Sequence, residues 1–110
     1  MQARKLTVAT AASGTTLDYL LSDRFRPLPH VVWARNAGAT VLLDAELGRY
    51  YTLNEVAGRT WELLAAGEPA VEILRYLADE YEASEETLQA DLASLLERFW
   101  AAALIERLPR

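Results

Sequence analysis

His30 is the only histidine in the chain and there is no cysteine, so any metal site would have to be built from carboxylates alone. His30 stands between Pro29 and Val31, where it reads as an exposed loop residue. The carboxylates closest to an acid–base pair are Glu82, Glu85 and Glu86. Glu85 and Glu86 open a helical pattern and oppose the positive end of its dipole; with no apolar pocket to raise a pKa, they read as solvated groups. No Gly-rich phosphate loop and no serine-nucleophile motif occurs. These residue types predict neither a catalytic centre, nor a bound metal, nor a cofactor. The run "LGRYYTLNEVAGRTWELL" from Leu47 to Leu64 carries two tyrosines, a polar hinge and a tryptophan, which are binding and packing residues rather than reactive ones.

The elements around that run follow from its periodicities. "VVWARN" from Val31 and "TVLLD" to Asp44 are β-branched and apolar runs separated by a turn at Gly38. "AELG" turns the chain at Gly48, and "RYYTL" reads as a third strand with Tyr51 and Leu53 on one face and Tyr50 and Thr52 on the other. Tight connections predict an antiparallel meander. At Asn54 the period changes to that of a helix, for which Asn is a good N-cap. Ala57, Thr60, Trp61 and Leu64 share the inner face, with Val56 and Leu63 at its margin, and Gly67 ends the helix. A second helix is predicted from Pro69 with the stripe Val71, Leu74, Leu77, Ala78 and Tyr81. A third follows the cap Ser84, with Leu88, Leu92, Leu95, Leu96, Phe99 and Ala103 leading into Leu104 and Ile105. The fold class is therefore α+β and winged-helix-like: a three-stranded antiparallel sheet followed by three helices, with an N-terminal arm.

The arm covers residues 1–29 and the folded domain residues 30–106. "TVATAASGTT" offers little to bury, "LDYLLS" suits a short helical turn, and the two prolines of "RFRPLPH" disfavour regular strand pairing. At 110 residues and 52% hydrophobic composition, one small domain is expected. The absence of cysteine and the weak apolar character of the N-terminus point to a cytoplasmic protein, and no stretch is apolar for long enough to span a bilayer. The net charge is −5, yet up to Arg35 the basic residues outnumber the acidic ones. An acidic folded part argues against nucleic acid and favours a basic or neutral partner.

Asp44, Gly48, "YYTLN", Trp61, "ILRYLADEY" and "DLASLLERFWAAALI", in that order, resemble the PqqD-like family of leader-peptide recognition domains serving enzymes that modify ribosomal peptides. The resemblance spans Val31 to Ile105. Two departures concern helix ends: Ala103 stands where the family often has glycine, and Ala70 where a Thr or Ser cap commonly opens the second helix. The resemblance implies that the strand Arg49, Tyr50, Tyr51, Thr52 and Leu53 is an exposed edge to which a leader peptide adds, with peptide side chains entering a groove along the third helix. Groove residues implied there are Gln89, Leu92, Leu96 and Trp100. Trp100 and Gln89 form one margin of that helix and Leu95 and Asp91 the other; spacing alone does not fix which faces the peptide. Inward periodicity assigns Tyr51, Leu53 and Trp61 to the core as well, leaving Arg49, Tyr50 and Thr52 as the more peptide-facing set.

The function implied is non-catalytic: binding a precursor's leader peptide and delivering it to a cognate leader peptidase, as in lasso-peptide synthesis, or to a radical-SAM or other modifying enzyme, as in pyrroloquinoline quinone synthesis. Lasso biosynthesis is the first choice. A winged-helix DNA-binding regulator is the alternative, opposed by the acidic helices. A structural adaptor docking through the same edge is the other. The basic arm, with Leu17, Tyr19, Leu20 and Leu21, is further expected to occupy the groove of its own or a neighbouring molecule, a route to self-association.

Overall fold

The computed structural model describes residues 5–7 and 18–109. Three strands form the central antiparallel sheet in the order β4 (Val31–Asn36), β5 (Ala39–Asp44) and β6 (Arg49–Leu53), preceded by the short strands β1 (Lys5–Thr7), β2 (Asp18–Leu20) and β3 (Phe25–Pro27). Helices α1 (Glu55–Ala65), α2 (Ala70–Glu80) and α3 (Glu85–Ala101) follow, and β7 (Ile105–Arg107) closes the chain. The predicted meander and three helices are thus present in order. Among the described residues no helix is long and apolar enough to cross a membrane.

Local chemistry sets the boundaries. Ala37 and Gly38 both have positive φ, 54° and 83°, the geometry of a two-residue primed turn whose twist suits a hairpin. Asn54 Oδ1 accepts the Ala57 N–H at 2.9 Å and Ser84 Oγ accepts that of Thr87 at 3.1 Å, capping α1 and α3. Gly67, at φ 90°, lies just beyond α1 and donates to the Leu64 carbonyl. α2 buries Ala70, Ile73, Leu74 and Leu77, a stripe rotated from the predicted one. Ala78 is exposed, while Tyr81, which ends the helix at φ −128°, still packs against the core as predicted.

The core is one cluster that joins the sheet's inner face to all three helices. Trp61 sits at its centre, fully buried and edge-on to Phe99 with ring centroids 5.2 Å apart. Leu42 from β5, Leu64, Ile73, Leu92 and Leu96 surround it. α1 crosses β5 closely at Gly58, where a Cβ would stand 2.6 Å from Thr40 Oγ1.

Three expectations are corrected at the chain ends. The prolines do not prevent pairing: β3, containing Pro27, pairs antiparallel with β7, and Phe25 is fully buried in the core. Proline is admissible there because this is a two-stranded ribbon in which each strand keeps an unbonded side. "LDYLLS" is not a helical turn where it is described, because Asp18–Leu20 is a strand opposite Lys5–Thr7. Such a short stretch gives a helix too few bonds to offset its nucleation cost. Residues 8–17, which hold Leu17 and all of the "TVATAASGTT" tract after Thr7, lie outside the described residues, and with them part of the expected arm-in-groove contact. His30, expected to be exposed, is half-buried with Nε2 3.0 Å from the Ala103 carbonyl and 3.8 Å from Asp44 Oδ2. It ties the entrance of β4 to the exit of α3, where Ala103 is left-handed at φ 58°.

Candidate functional site

The turn before β6 is built by Asp44. Its buried Oδ1 accepts the N–H groups of Glu46 and Leu47 at 2.9 and 3.0 Å, while its carbonyl accepts that of Gly48, which has φ 67°. Asp44 thereby satisfies the turn's backbone donors and sends the chain back as β6, paired with β5 from Asp44 opposite Arg49 to Thr40 opposite Leu53.

The register identifies which main-chain groups of β6 are spoken for. A two-residue turn makes Asn36 and Ala39 a hydrogen-bonded pair, and the bonded pairs then alternate along β4 and β5; the Ala45 N–H to His30 carbonyl bond of 2.9 Å continues the series. Residues of β5 between those pairs bond to β6, so Leu42 exchanges bonds with Tyr51 and Thr40 with Leu53. The N–H and C=O of Tyr50 and Thr52 consequently point away from the sheet. β6 is the last strand on that side, and among the described residues no further strand pairs with it.

Beside this edge runs a groove of about 530 Å3 between β6 and α3. Its floor is apolar: Tyr51 and Leu53 from the strand, Leu95, Phe99 and Ala102 from the helix, and Leu104 beyond it. A second hollow of about 300 Å3 continues it past Leu95 and Arg98 toward Asn54, Asp91 and Ser94. Tyr50 marks the other end of the groove and is 72% exposed on the outer face of the sheet.

Of the residues predicted for the site, Tyr50, Tyr51, Thr52 and Leu53 line the groove and Arg49 begins its strand. Leu92 and Leu96 are fully buried and support it from within the core. Gln89 and Trp100 do not line it: Gln89 donates to Glu85 Oε1 at 3.2 Å and Trp100 projects from the opposite margin of α3. The margin on the groove is that of Leu95, with Arg98 and Ala102 joining it one and two turns on. Arg98 and Ala102 were not singled out in the sequence, although their spacing from Leu95 places them in one helical row.

Around α1 and α2 the charges are paired within the chain. Arg35 reaches Glu62 at 2.9 Å, and Arg59 bonds both oxygens of Glu80 while its guanidinium lies over Tyr76 at 5.7 Å. The hydrogen bonds to Glu80 raise the Arg59 pKa, with Glu62 adding to the effect. Burial, then the charges of Glu55 and Glu80, push the Tyr81 phenol up. Among the described residues, no three His, Asp or Glu side chains gather as a metal site.

An open strand edge above an apolar groove is equipped to take up an extended chain: main-chain groups hold the backbone and the groove accepts alternate side chains. The comparisons agree with such a build. The family model described as coenzyme PQQ synthesis protein D (PqqD) matches residues 39–105, and the chain belongs to that family. Two solved structures are similar to it. TbiB1 in complex with the TbiA(beta) leader peptide shares 29% identity at a TM-score of 0.72, over 77% of this chain and 99% of that one. Lasso peptide synthetase B1 complexed with the leader peptide shares 28% identity at a TM-score of 0.70, over 78% and 99% respectively. No curated protein matches the chain significantly.

Proposed function

We propose that this protein is a non-catalytic recognition module that binds the leader peptide of a ribosomally made precursor by strand addition to β6 and delivers it to a processing enzyme. The observation that carries this reading is the pair of outward-facing residues, Tyr50 and Thr52, on an edge that no other described strand pairs with, directly over the groove. An incoming strand exchanges main-chain bonds with them and turns every second side chain onto Leu95, Phe99 and Ala102. Main-chain bonding gives affinity for extended chains in general, and the groove's shape selects among them. The binding set is Arg49 to Leu53 with Leu95, Arg98 and Ala102; Leu92 and Leu96 shape the floor from beneath.

Both similar structures are leader-peptide complexes and one of them is of a lasso peptide synthetase B1, which favours a leader peptidase of a lasso pathway as the enzyme served, ahead of a radical-SAM enzyme. Residues 30–106 form the binding unit, and residues 21–29 act as its brace through β3. The site of action is the cytoplasm, where precursors are made. The test is Thr52→Pro, which removes an outward donor while leaving the β5–β6 bonds in place. With the leader of a precursor encoded beside this gene as titrant, binding should weaken by about tenfold or more, the value of a main-chain bond or two at an interface. Helical circular dichroism should be unchanged. Equal binding by the variant, with the fold intact, contradicts the reading.

A further inference from the structure

The chain is acidic overall, but its groove is lined by an arginine that the fold leaves unpaired. Among the described residues, Arg24 is bonded to the Gly67 carbonyl, and Arg26, Arg35, Arg59, Arg75 and Arg107 each face a carboxylate. The guanidinium groups of Arg49 and Arg98 have neither a hydrogen bond nor an ion pair there, and both are exposed. Arg98 lines both parts of the groove, and Arg49 begins the strand that forms its open edge. The two parts give the order along the cleft: Asp91 and Ser94 line one part, Tyr50, Ala102 and Leu104 the other, and Leu95 and Arg98 line both. Traversed that way, the lining presents a negative charge at Asp91, then a positive one at Arg98, with Arg49 on the edge strand beyond the lining.

From this arrangement we infer that the bound peptide carries an acidic side chain, Asp or Glu, at the Arg98–Arg49 end of its apolar segment. This deepens the leader-binding reading and rests on it. A carboxylate there meets cations that no internal partner neutralises, at the rim of an apolar groove where a misplaced like charge is rejected more strongly than a correct one is attracted. Arg98 also lies in the last turn of α3, where a cation is favoured by the helix dipole. That role predicts an effect on stability and none on peptide choice, so the two are separable. The dipole offers Arg49 no such explanation, because it lies on a strand.

The experiment is a display selection of random short peptides on the immobilised full chain, with Thr52→Pro as the counter-selection and an Arg49→Gln/Arg98→Gln double variant in parallel. The wild-type chain should enrich alternating apolar residues flanked on one side by Asp or Glu, and the double variant the same apolar pattern without the acid. For the best peptide, replacing its acid by the isosteric amide should weaken binding to the wild type about fivefold per arginine met. Binding to the double variant should stay unchanged, and high salt should erase the difference. Peptides that need an intact β6 but show no acidic preference overturn the inference and leave strand addition standing. An acidic preference retained by the double variant, with only its melting temperature lowered, assigns Arg98 to the helix end and also overturns it. Peptides that bind the Thr52→Pro variant equally well overturn both readings.

Discussion

On the α1–α2 face the arginines are tied into the fold: Arg35 to Glu62, Arg59 to Glu80 and Glu62, and Arg75 to Glu72. On the β6–α3 face, Arg49 and Arg98 have no such partner among the described residues, and the main-chain groups of Tyr50 and Thr52 are likewise left open. The same residue types thus do opposite work on the two faces. Where donors are matched within the chain they tie helix to sheet, as Arg35 does, or helix to helix, as Arg59 does; where they are unmatched beside an apolar groove they are available to a ligand. Net charge averages the two faces and so points to a basic or neutral partner, whereas the unpaired arginine lining the groove is the basis of the acidic ligand group inferred for it.

Substitutions on the closed face should affect stability and those on the open face binding. The largest expected effect is that of Phe25→Ala, which removes a fully buried ring contributed from before the central sheet. It should cost about 3–5 kcal/mol in urea denaturation. A loss below about 1 kcal/mol would return residues 21–29 to the status of a loose arm. Next is Gly58→Ala. In an exposed helix this change gains up to about 1 kcal/mol of propensity. Here the added methyl meets the buried Thr40, and the net effect should be a loss of about 1–3 kcal/mol. A smaller loss from Gly58→Ala in a Thr40→Ala background, where Oγ1 is gone, would locate the clash. Glu80→Gln should cost only about 0.5–1 kcal/mol, since the Arg59 pair is partly exposed, and should leave leader binding unaltered. Smallest is Ala103→Gly, which relieves a left-handed alanine at φ 58° and should raise the thermal midpoint slightly, by about 0.5 kcal/mol in free energy.

The features legible in the sequence were those decided within a few residues. Asn54 and Ser84 cap helices because the donors they satisfy lie three residues on, and Gly67 ends one because a single residue must be left-handed. The alternation in "RYYTL" placed Tyr51 and Leu53 inward for the same local reason. Pairs far apart in the chain were not legible. β3 meets β7 across nearly the full chain, through three-residue strands too short to show a period, one of them holding a proline. The bond from His30 to the Ala103 carbonyl depends on that same closure. The side of α3 that faces the groove was also hidden, because the helix is apolar over a broad arc. Packing of Leu92, Leu96 and Phe99 against Trp61 determines its rotation and leaves Leu95, rather than Trp100, toward β6. Ala103 was legible as a departure from the pattern of the resemblance, and its backbone at φ 58° is the left-handed geometry that glycine adopts at least cost.

The central claim, strand addition at β6, is tested most directly by residue-resolved amide exchange with and without the leader peptide. The Tyr51 and Leu53 N–H groups, already bonded to β5, should be protected in both states. Those of Tyr50 and Thr52 should exchange freely alone and slow by about tenfold or more on binding, as bonded strand amides do. Saturating peptide that leaves Tyr50 and Thr52 exchanging as fast as before, while other amides slow, would contradict the account.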